Sequence, residues 1–314
     1  MTRVAAVDCG TNTIKLLVAD ISRSGDGTEH SLVRELRIVR LGQGVDRTGR
    51  LADEALARVF AAAEEYAAIV ESHGVDALRF VATSAVRDAS NADVFTEGIR
   101  ARMGVWPEIA SGAEEAQLSY DGATRSLPVV PSPVAVLDIG GGSTELIVGD
   151  PSAGSGPAGH VRAAHSLDIG SVRIHERLMP SDPPTAEELR AATRTVDGAL
   201  DTLPSYGVHV ERAPTLVGVA GTVTTVAKLL LGLETYDRDR VHHASFPLAD
   251  VHDLAARLVS MTVAERERLG VPAGRSDVIG AGAVILDRVL LRSGAERLTV
   301  SDSDILDGIA WSIA

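Results

Sequence analysis

The chain carries one loop design twice. Asp8-Cys9-Gly10-Thr11-Asn12-Thr13-Ile14-Lys15-Leu16-Leu17-Val18 aligns without a gap on Asp138-Ile139-Gly140-Gly141-Gly142-Ser143-Thr144-Glu145-Leu146-Ile147-Val148, matching the aspartate, a glycine, Thr13 with Ser143, a leucine and a valine. An internal repeat restricts the fold before any single motif does. Each copy follows one apolar run and leads into another, so each reads as two strands joined by a tight loop. The matched pair predicts a duplicated α/β domain, with one phosphate loop per half and the ligand clamped between halves.

Three consecutive glycines, Gly140 to Gly142, weaken any strand they enter. What they allow is a close approach of backbone to a ligand, with N–H groups turned inward to form a concavity that suits phosphate oxygens. Asp138 closes the first strand and Glu145 opens the second, and both carboxylates would repel a phosphate unless a cation lay between. A divalent metal is therefore implied.

With 314 residues there is room for two domains, each able to bury its own core. A hydrophobic share of 45% and a charged share of 23% are those of an ordinary globular protein. The net charge of −13 argues against broad nucleic-acid or anionic-membrane binding, which needs extended basic surface. A polyanionic substrate would have to be met by local arginines or metal. The lone Cys9 allows no internal disulfide and reads as a small buried residue. The first residues enter a strand without an apolar leader, and no apolar run reaches membrane-spanning length, so a cytoplasmic protein is expected.

Along the chain, residues 29–44 alternate as a third strand after a turn at Ser24-Gly25-Asp26-Gly27, and 51–73 carry helical spacing that stops at Gly74. A buried strand over 77–81 runs into Ala82-Thr83-Ser84-Ala85-Val86-Arg87, at the kind of strand end where ligands of α/β sheets gather. Arg87 could reach a phosphate with its planar fork, or pair with Asp88 or Asp93. A helix over 91–103, a strand over 105–109 and a helix opening at Ser111-Gly112-Ala113-Glu114-Glu115-Ala116 follow; acidic residues in a first turn also suit the helix dipole. The prolines of 125–133 mark the domain boundary. Next come a surface turn over 151–159, a strand over 160–167 and a helix from Ser171 towards Leu178. Residues 183–203 form a helix with the capping pattern Thr185 to Glu188. Thr215 to Thr225 reads as strand, glycine turn and helix start, a junction able to hold a nucleotide or phosphate or simply to pack closely. His242-His243 reads as a solvated loop. Helices over 249–261, 263–269 and 275–286, a strand over 298–300 and a last short helix through Trp311, capped from within Ser301-Asp302-Ser303-Asp304, complete the chain.

Together these motifs resemble the exopolyphosphatase and guanosine pentaphosphate phosphatase (Ppx/GppA) family of the actin-like ATPase superfamily. Asp8 to Thr13 is similar to the family's first phosphate loop and Asp138 to Glu145 to its second. Ala82 to Arg87, Ser111 to Ala116 and Arg275-Ser276-Asp277-Val278-Ile279 are similar to further family signatures. Cys9 departs from the usual aliphatic residue, and Thr11 and Thr13 replace serines while keeping hydroxyls. The resemblance implies two ribonuclease H-like (actin-like ATPase) domains, each a mixed sheet flanked by helices, with the active site in the interdomain cleft. The expected division is 1–128 and 129–302, with a final helix over 303–314 returning to the first domain. The chain resembles the short form of the family, which lacks additional helical domains.

What the family implies chemically is a magnesium-dependent phosphohydrolase, with manganese as a possible substitute, removing the terminal phosphate of inorganic polyphosphate, short chains above all. Glu115 maps to the catalytic glutamate, Glu114 being its rival. Asp138 and Glu145, with Asp8, would hold the metal directly or through waters. Thr11, Asn12, Thr13, Arg87, Gly141, Gly142, Ser143 and Thr144 would bind substrate. Guanosine pentaphosphate or a nucleoside triphosphate is the alternative substrate. A phosphotransferase, or a nonhydrolytic polyphosphate or alarmone sensor, would be a different class. A homodimer is compatible with the resemblance.

Overall fold

The computed structural model describes residues 1–22, 29–151 and 159–314. The turn expected at Ser24-Gly25-Asp26-Gly27, and all but the ends of that expected over 151–159, lie outside the described residues. Two compact units are formed. Among the described residues one comprises 1–126, 159 and 304–314, and the other 127–151 and 160–303.

The first unit holds strands β1 (Thr2–Cys9), β2 (Thr13–Ile21), β3 (Glu29–Ile38), β4 (Ala77–Ala82) and β5 (Glu108–Ile109), in the order β3-β2-β1-β4-β5. β1, β2 and β3 pair antiparallel, whereas β4 and β5 are added parallel. Ala5, Val7, Cys9, Ile14, Leu16 and Val18 face a core shared with Val59, Ala63 and Tyr66 of helix Asp53–His73. The alternate residues Val4, Ala6, Leu17, Ala19 and Ile21 face a second core, with Leu118 of helix Gly112–Thr124 and Ile305, Leu306 and Ile309 of helix Ile305–Trp311. Burial on both faces is why β1 is a continuous apolar run rather than an alternating one. Each aliphatic side chain so covered contributes on the order of 1.5–3 kcal/mol.

The second unit holds β6 (Val134–Ile139), β7 (Thr144–Asp150), β8 (His160–Leu167), β9 (Thr215–Val219), β10 (Ser245–Pro247) and β11 (Arg297–Val300), in the order β10-β11-β9-β6-β7-β8. With β10 set aside, this is the order of the first sheet, and β9 and β11 again join parallel. The repeat reaches fine detail, since the ladder shifts register after Val18 in β2 and after the aligned Val148 in β7. Helices Ala186–Leu200, Ala220–Leu230, Leu248–Ser260 and Ile279–Leu290 bury Val196, Val223, Leu254 and Ile285 against Leu137, Leu146 and Leu216.

Five local expectations change. The strand expected over 29–44 stops at Ile38, after which the N–H groups of Val39 and Arg40 turn to the Asn12 carbonyl. Pro107, with no N–H to donate, cuts the strand expected over 105–109 to Glu108–Ile109. The helix expected from residue 275 starts at Ile279, because the carbonyls of Ser276 and Asp277 turn to the Arg266 guanidinium at 3.0 and 3.4 Å. No turn separates β9 from its helix, which begins at once on Ala220 with φ 64°. His242 and His243 are not a solvated loop: their rings stack with centroids 3.8 Å apart, and His242 Nδ1 accepts the Asp302 N–H. Among the described residues no helix is long and apolar enough to cross a membrane.

Candidate active site

The two loops close in the same way. Gly10 N–H donates to the Thr13 carbonyl at 2.9 Å, and Gly140 N–H donates to the Ser143 carbonyl at 3.0 Å. In the first loop the Thr11 carbonyl accepts from Gly42, and the Asn12 carbonyl from Val39 and Arg40. In the second the Gly140 carbonyl accepts from Ser171, and the Gly141 carbonyl from Val172 and Arg173, while Arg173 Nε donates to Gly142. Carbonyls are thus tied back on both loops. The N–H groups of Thr11, Asn12, Gly141, Gly142 and Ser143 donate to no acceptor among the described residues. Gly170 has to be glycine for this packing, because a Cβ there would lie 2.3 Å from the Gly141 oxygen.

Side chains complete each loop differently. The hydroxyls of Thr11 and Ser84 lie 3.0 Å apart. Thr13 opens β2. Thr144, fully buried, donates its hydroxyl to the Ile169 carbonyl. Burial also pushes the Cys9 thiol up, which keeps it protonated and inert.

Behind the second loop, Asp138 stands directly opposite Glu145 across the β6–β7 ladder, and both are buried. Like charges so placed repel each other. Ser166 donates to Glu145 Oε1 at 2.6 Å and fixes that carboxylate. No group of three or more His, Cys, Asp or Glu side chains suited to a metal occurs among the described residues. Two carboxylates nevertheless fit magnesium, a hard cation that keeps several waters and takes few protein ligands.

Behind the first loop the opposed pair is Asp8 and Lys15. Lys15 Nζ lies 3.1 Å from Asp8 Oδ2 and 2.6 Å from Asp304 Oδ2. Asp8 Oδ1 is buried with no hydrogen-bond partner. Burial pushes the Asp8 carboxyl up against the pull of Lys15. Burial would do the same to Asp304, but the charge and hydrogen bond of Lys15 hold that carboxyl below its ordinary value. Neither Lys15 nor Asp304 was singled out by motif. The signal was present in the gap-free repeat, where Lys15 falls on Glu145.

Helix Gly112–Thr124 starts on Ser111, whose side chain accepts from Glu114 N–H, and carries two glutamates in its first turn. They have different fates. Glu114, 42% exposed at its side chain, receives Arg79 Nη2 at 2.7 Å on the surface, beside Glu108. Glu115 is buried, and Arg87 Nη1 reaches its Oε2 at 3.0 Å while also donating to the Ala110 carbonyl at 2.8 Å. Arg87 therefore pairs with Glu115 rather than with Asp88 or Asp93.

Residues 20–314 match the model of the Ppx/GppA phosphatase family. The chain is 44% identical to "Exopolyphosphatase 2" of Mycobacterium tuberculosis, over 100% of this chain and 99% of that one. Among solved structures, an exopolyphosphatase-like protein superimposes with TM-score 0.93 at 40% identity, covering 100% of this chain and 98% of the other. The PPX-GPPA enzyme of Aquifex aeolicus gives TM-score 0.80 at 30% identity, with 99% of each chain covered. The repeated loops, their buried carboxylates and these matches agree: the chain belongs to the Ppx/GppA phosphatase family.

Proposed function

We propose that the protein is a magnesium-dependent exopolyphosphatase that hydrolyses the terminal phosphate of inorganic polyphosphate, short chains included. The observation that carries this is the pair of loops closed alike, each with backbone N–H groups turned away from its tied carbonyls and buried carboxylates behind it. The naming of the Mycobacterium tuberculosis relative supports the choice of substrate.

Glu115 is the general base. Buried and oriented by Arg87, its carboxylate takes the proton of a water aligned with the terminal phosphorus. The N–H groups of Thr11 and Asn12, and those of Gly141, Gly142 and Ser143, bind phosphate oxygens and stabilise the charge on the transferring group. Asp138 and Glu145 would hold the magnesium, which when bound would neutralise charge on the phosphate oxygens. Asp8, whose buried Oδ1 has no partner, would offer a further acceptor for the water of a hydrated cation at the first loop. The leaving group is a stabilised phosphate anion, so no strong general acid is needed. Arg87 holds Glu115 at one edge of its guanidinium and keeps the remaining donors for a substrate oxygen.

The test is phosphate release from a panel of polyphosphates of several lengths, guanosine pentaphosphate and nucleoside triphosphates, with and without magnesium. Preference for a nucleotide would replace the substrate assignment, and release without a divalent metal would remove the metal.

A further inference from the structure

Asp304 is among the most constrained residues of the first unit. It is the N-cap of helix Ile305–Trp311, where its Oδ1 accepts from Leu306 N–H at 3.0 Å. Its own N–H donates to Asp307 Oδ2 at 2.9 Å, and Asp307 is gripped by the Arg34 guanidinium. Its backbone also touches the helix that bears Glu115. A Cβ on Gly122 would lie 1.8 Å from the Asp304 carbonyl oxygen, and one on Gly308 would lie 1.9 Å from that of Leu118. The remaining carboxylate oxygen of this fixed residue meets Lys15. Capping alone does not require that contact, because a neutral asparagine caps as well as an aspartate.

Alternation along β1 and β2 explains why these groups meet. Asp8 and Lys15 share the sheet face of Val4, Ala6, Leu17 and Ala19, the face on which Ile305, Leu306 and Ile309 pack. Lys15 joins two carboxylates, so the triad holds one negative charge in excess while Asp8 Oδ1 lacks a donor. Both features suit a donor carrying positive charge, such as a water on a divalent cation.

We propose that Asp304 is a positioning residue for phosphate hydrolysis: it anchors Lys15, which in turn holds the Asp8 carboxylate behind the first phosphate loop, where its unpartnered Oδ1 would accept from a water of a divalent cation carried by the substrate. The inference rests on the function proposed above. The rigid contacts at Gly122 and Gly308 register the helix of Glu115 to the same anchor.

Asp304→Asn tests this, since it keeps the cap and removes the charge that holds Lys15. The magnesium concentration for half-maximal release of phosphate from tripolyphosphate should rise roughly 10-fold, the lower end of the effect of losing an outer partner of a metal ligand, because Asp304 acts at a further remove through Lys15. kcat at saturating magnesium should stay close to that of the unaltered protein. A second readout needs no turnover. The chain has two lysines, Lys15 and Lys228, and Lys228 is buried with its ammonium on the Gly270 carbonyl. Acetylation by an amine-directed reagent, followed by mass spectrometry of both peptides, should show Lys15 reacting faster in Asp304→Asn while Lys228 stays unchanged. In a Lys15→Met background Asp304→Asn should add no further loss, because the residue it acts through is gone.

An unshifted magnesium requirement with unchanged Lys15 reactivity would overturn the proposal. So would equal losses of kcat in Asp304→Asn and the uncapped Asp304→Ala without a metal effect, which would leave Asp304 a helix cap. Should the unaltered protein hydrolyse no polyphosphate, the functional reading fails, whereas the acetylation readout still decides whether Asp304 anchors Lys15.

Discussion

Lys15 and Glu145 occupy the same place in the two hairpins, each directly opposite the aspartate that ends the preceding strand. One copy of the repeat therefore carries its own ammonium, and the other sets two carboxylates face to face. The two hairpins thus differ in the sign of one charge on a shared backbone pattern, down to the register shift after Val18 and Val148.

From that asymmetry follows a prediction about metal. Asp138→Asn and Glu145→Gln should each abolish magnesium-dependent phosphate release while leaving the circular dichroism spectrum native, because neutral amides remove the repulsion as well as the ligand. Magnesium at 100 times its dissociation constant should stabilise the unaltered protein by about 2.7 kcal/mol, and a thermal melt should show that gain reduced in both variants. Unfolding by either substitution would make these carboxylates structural.

Glu115→Gln should lower turnover by roughly 10²–10⁴-fold with substrate binding retained, the loss typical of a missing general base. Glu114→Gln should do far less, since its ion pair with Arg79 lies at the surface, where such pairs contribute about 0–1 kcal/mol. Steady-state kinetics on tripolyphosphate checks both. A reversed order would transfer the role to Glu114.

Arg87→Ala should affect both kinetic constants. Losing the contact with Glu115 misplaces the base and lowers kcat, and losing the guanidinium raises KM for short polyphosphates. Arg87→Lys should recover part of KM but little of kcat, as an ammonium cannot serve the Ala110 carbonyl and Glu115 with the same fork. An effect on KM alone would mean that Glu115 does not depend on Arg87.

The loops, the strands around them and the two-sheet architecture were legible because they rest on local causes: apolar runs, glycines and a repeat in register. Helix starts with capping residues were legible too, as at Thr185 and Asp304. What stayed hidden depends on residues far apart in the chain. The Arg266 contacts that delay the helix start to Ile279 reach across 10 and 11 residues, and the Lys15–Asp304 pair across 289. Periodicity carries no information about such partners. Glu115 was separable from Glu114 only by resemblance, since both suit a helix N-terminus equally, until burial and their different arginines distinguished them.

Acid stability offers a check on the second unit. Burial works against ionisation of Asp197, but hydrogen bonds from Arg288 and Arg292 at 2.7 and 2.9 Å hold its carboxyl below the ordinary value. A carboxyl lower in the folded state stabilises above its unfolded pKa of about 3.9, and that stability is lost as pH falls through the folded value. Asp197→Asn should therefore lower stability at pH 7 by about 1 kcal/mol or less, given its partial exposure. The difference should vanish in melts well below pH 3.9. A constant difference across that range would assign the loss to packing.

The tied carbonyls of the second loop have a consequence for recognition. Ser171, Val172 and Arg173 hold that backbone by its carbonyls and Gly170 packs closely against it, so its polarity is set before anything binds. A surface oriented in advance gains little by discriminating among anions of similar shape, because it does not have to rearrange for the right one. If this loop binds phosphate as proposed, the end of a polyphosphate and the end of a nucleotide would look alike to it. Under the proposed function, preference between them would belong to side chains that meet the second and third phosphates, and changing those would alter the substrate while leaving the loop untouched.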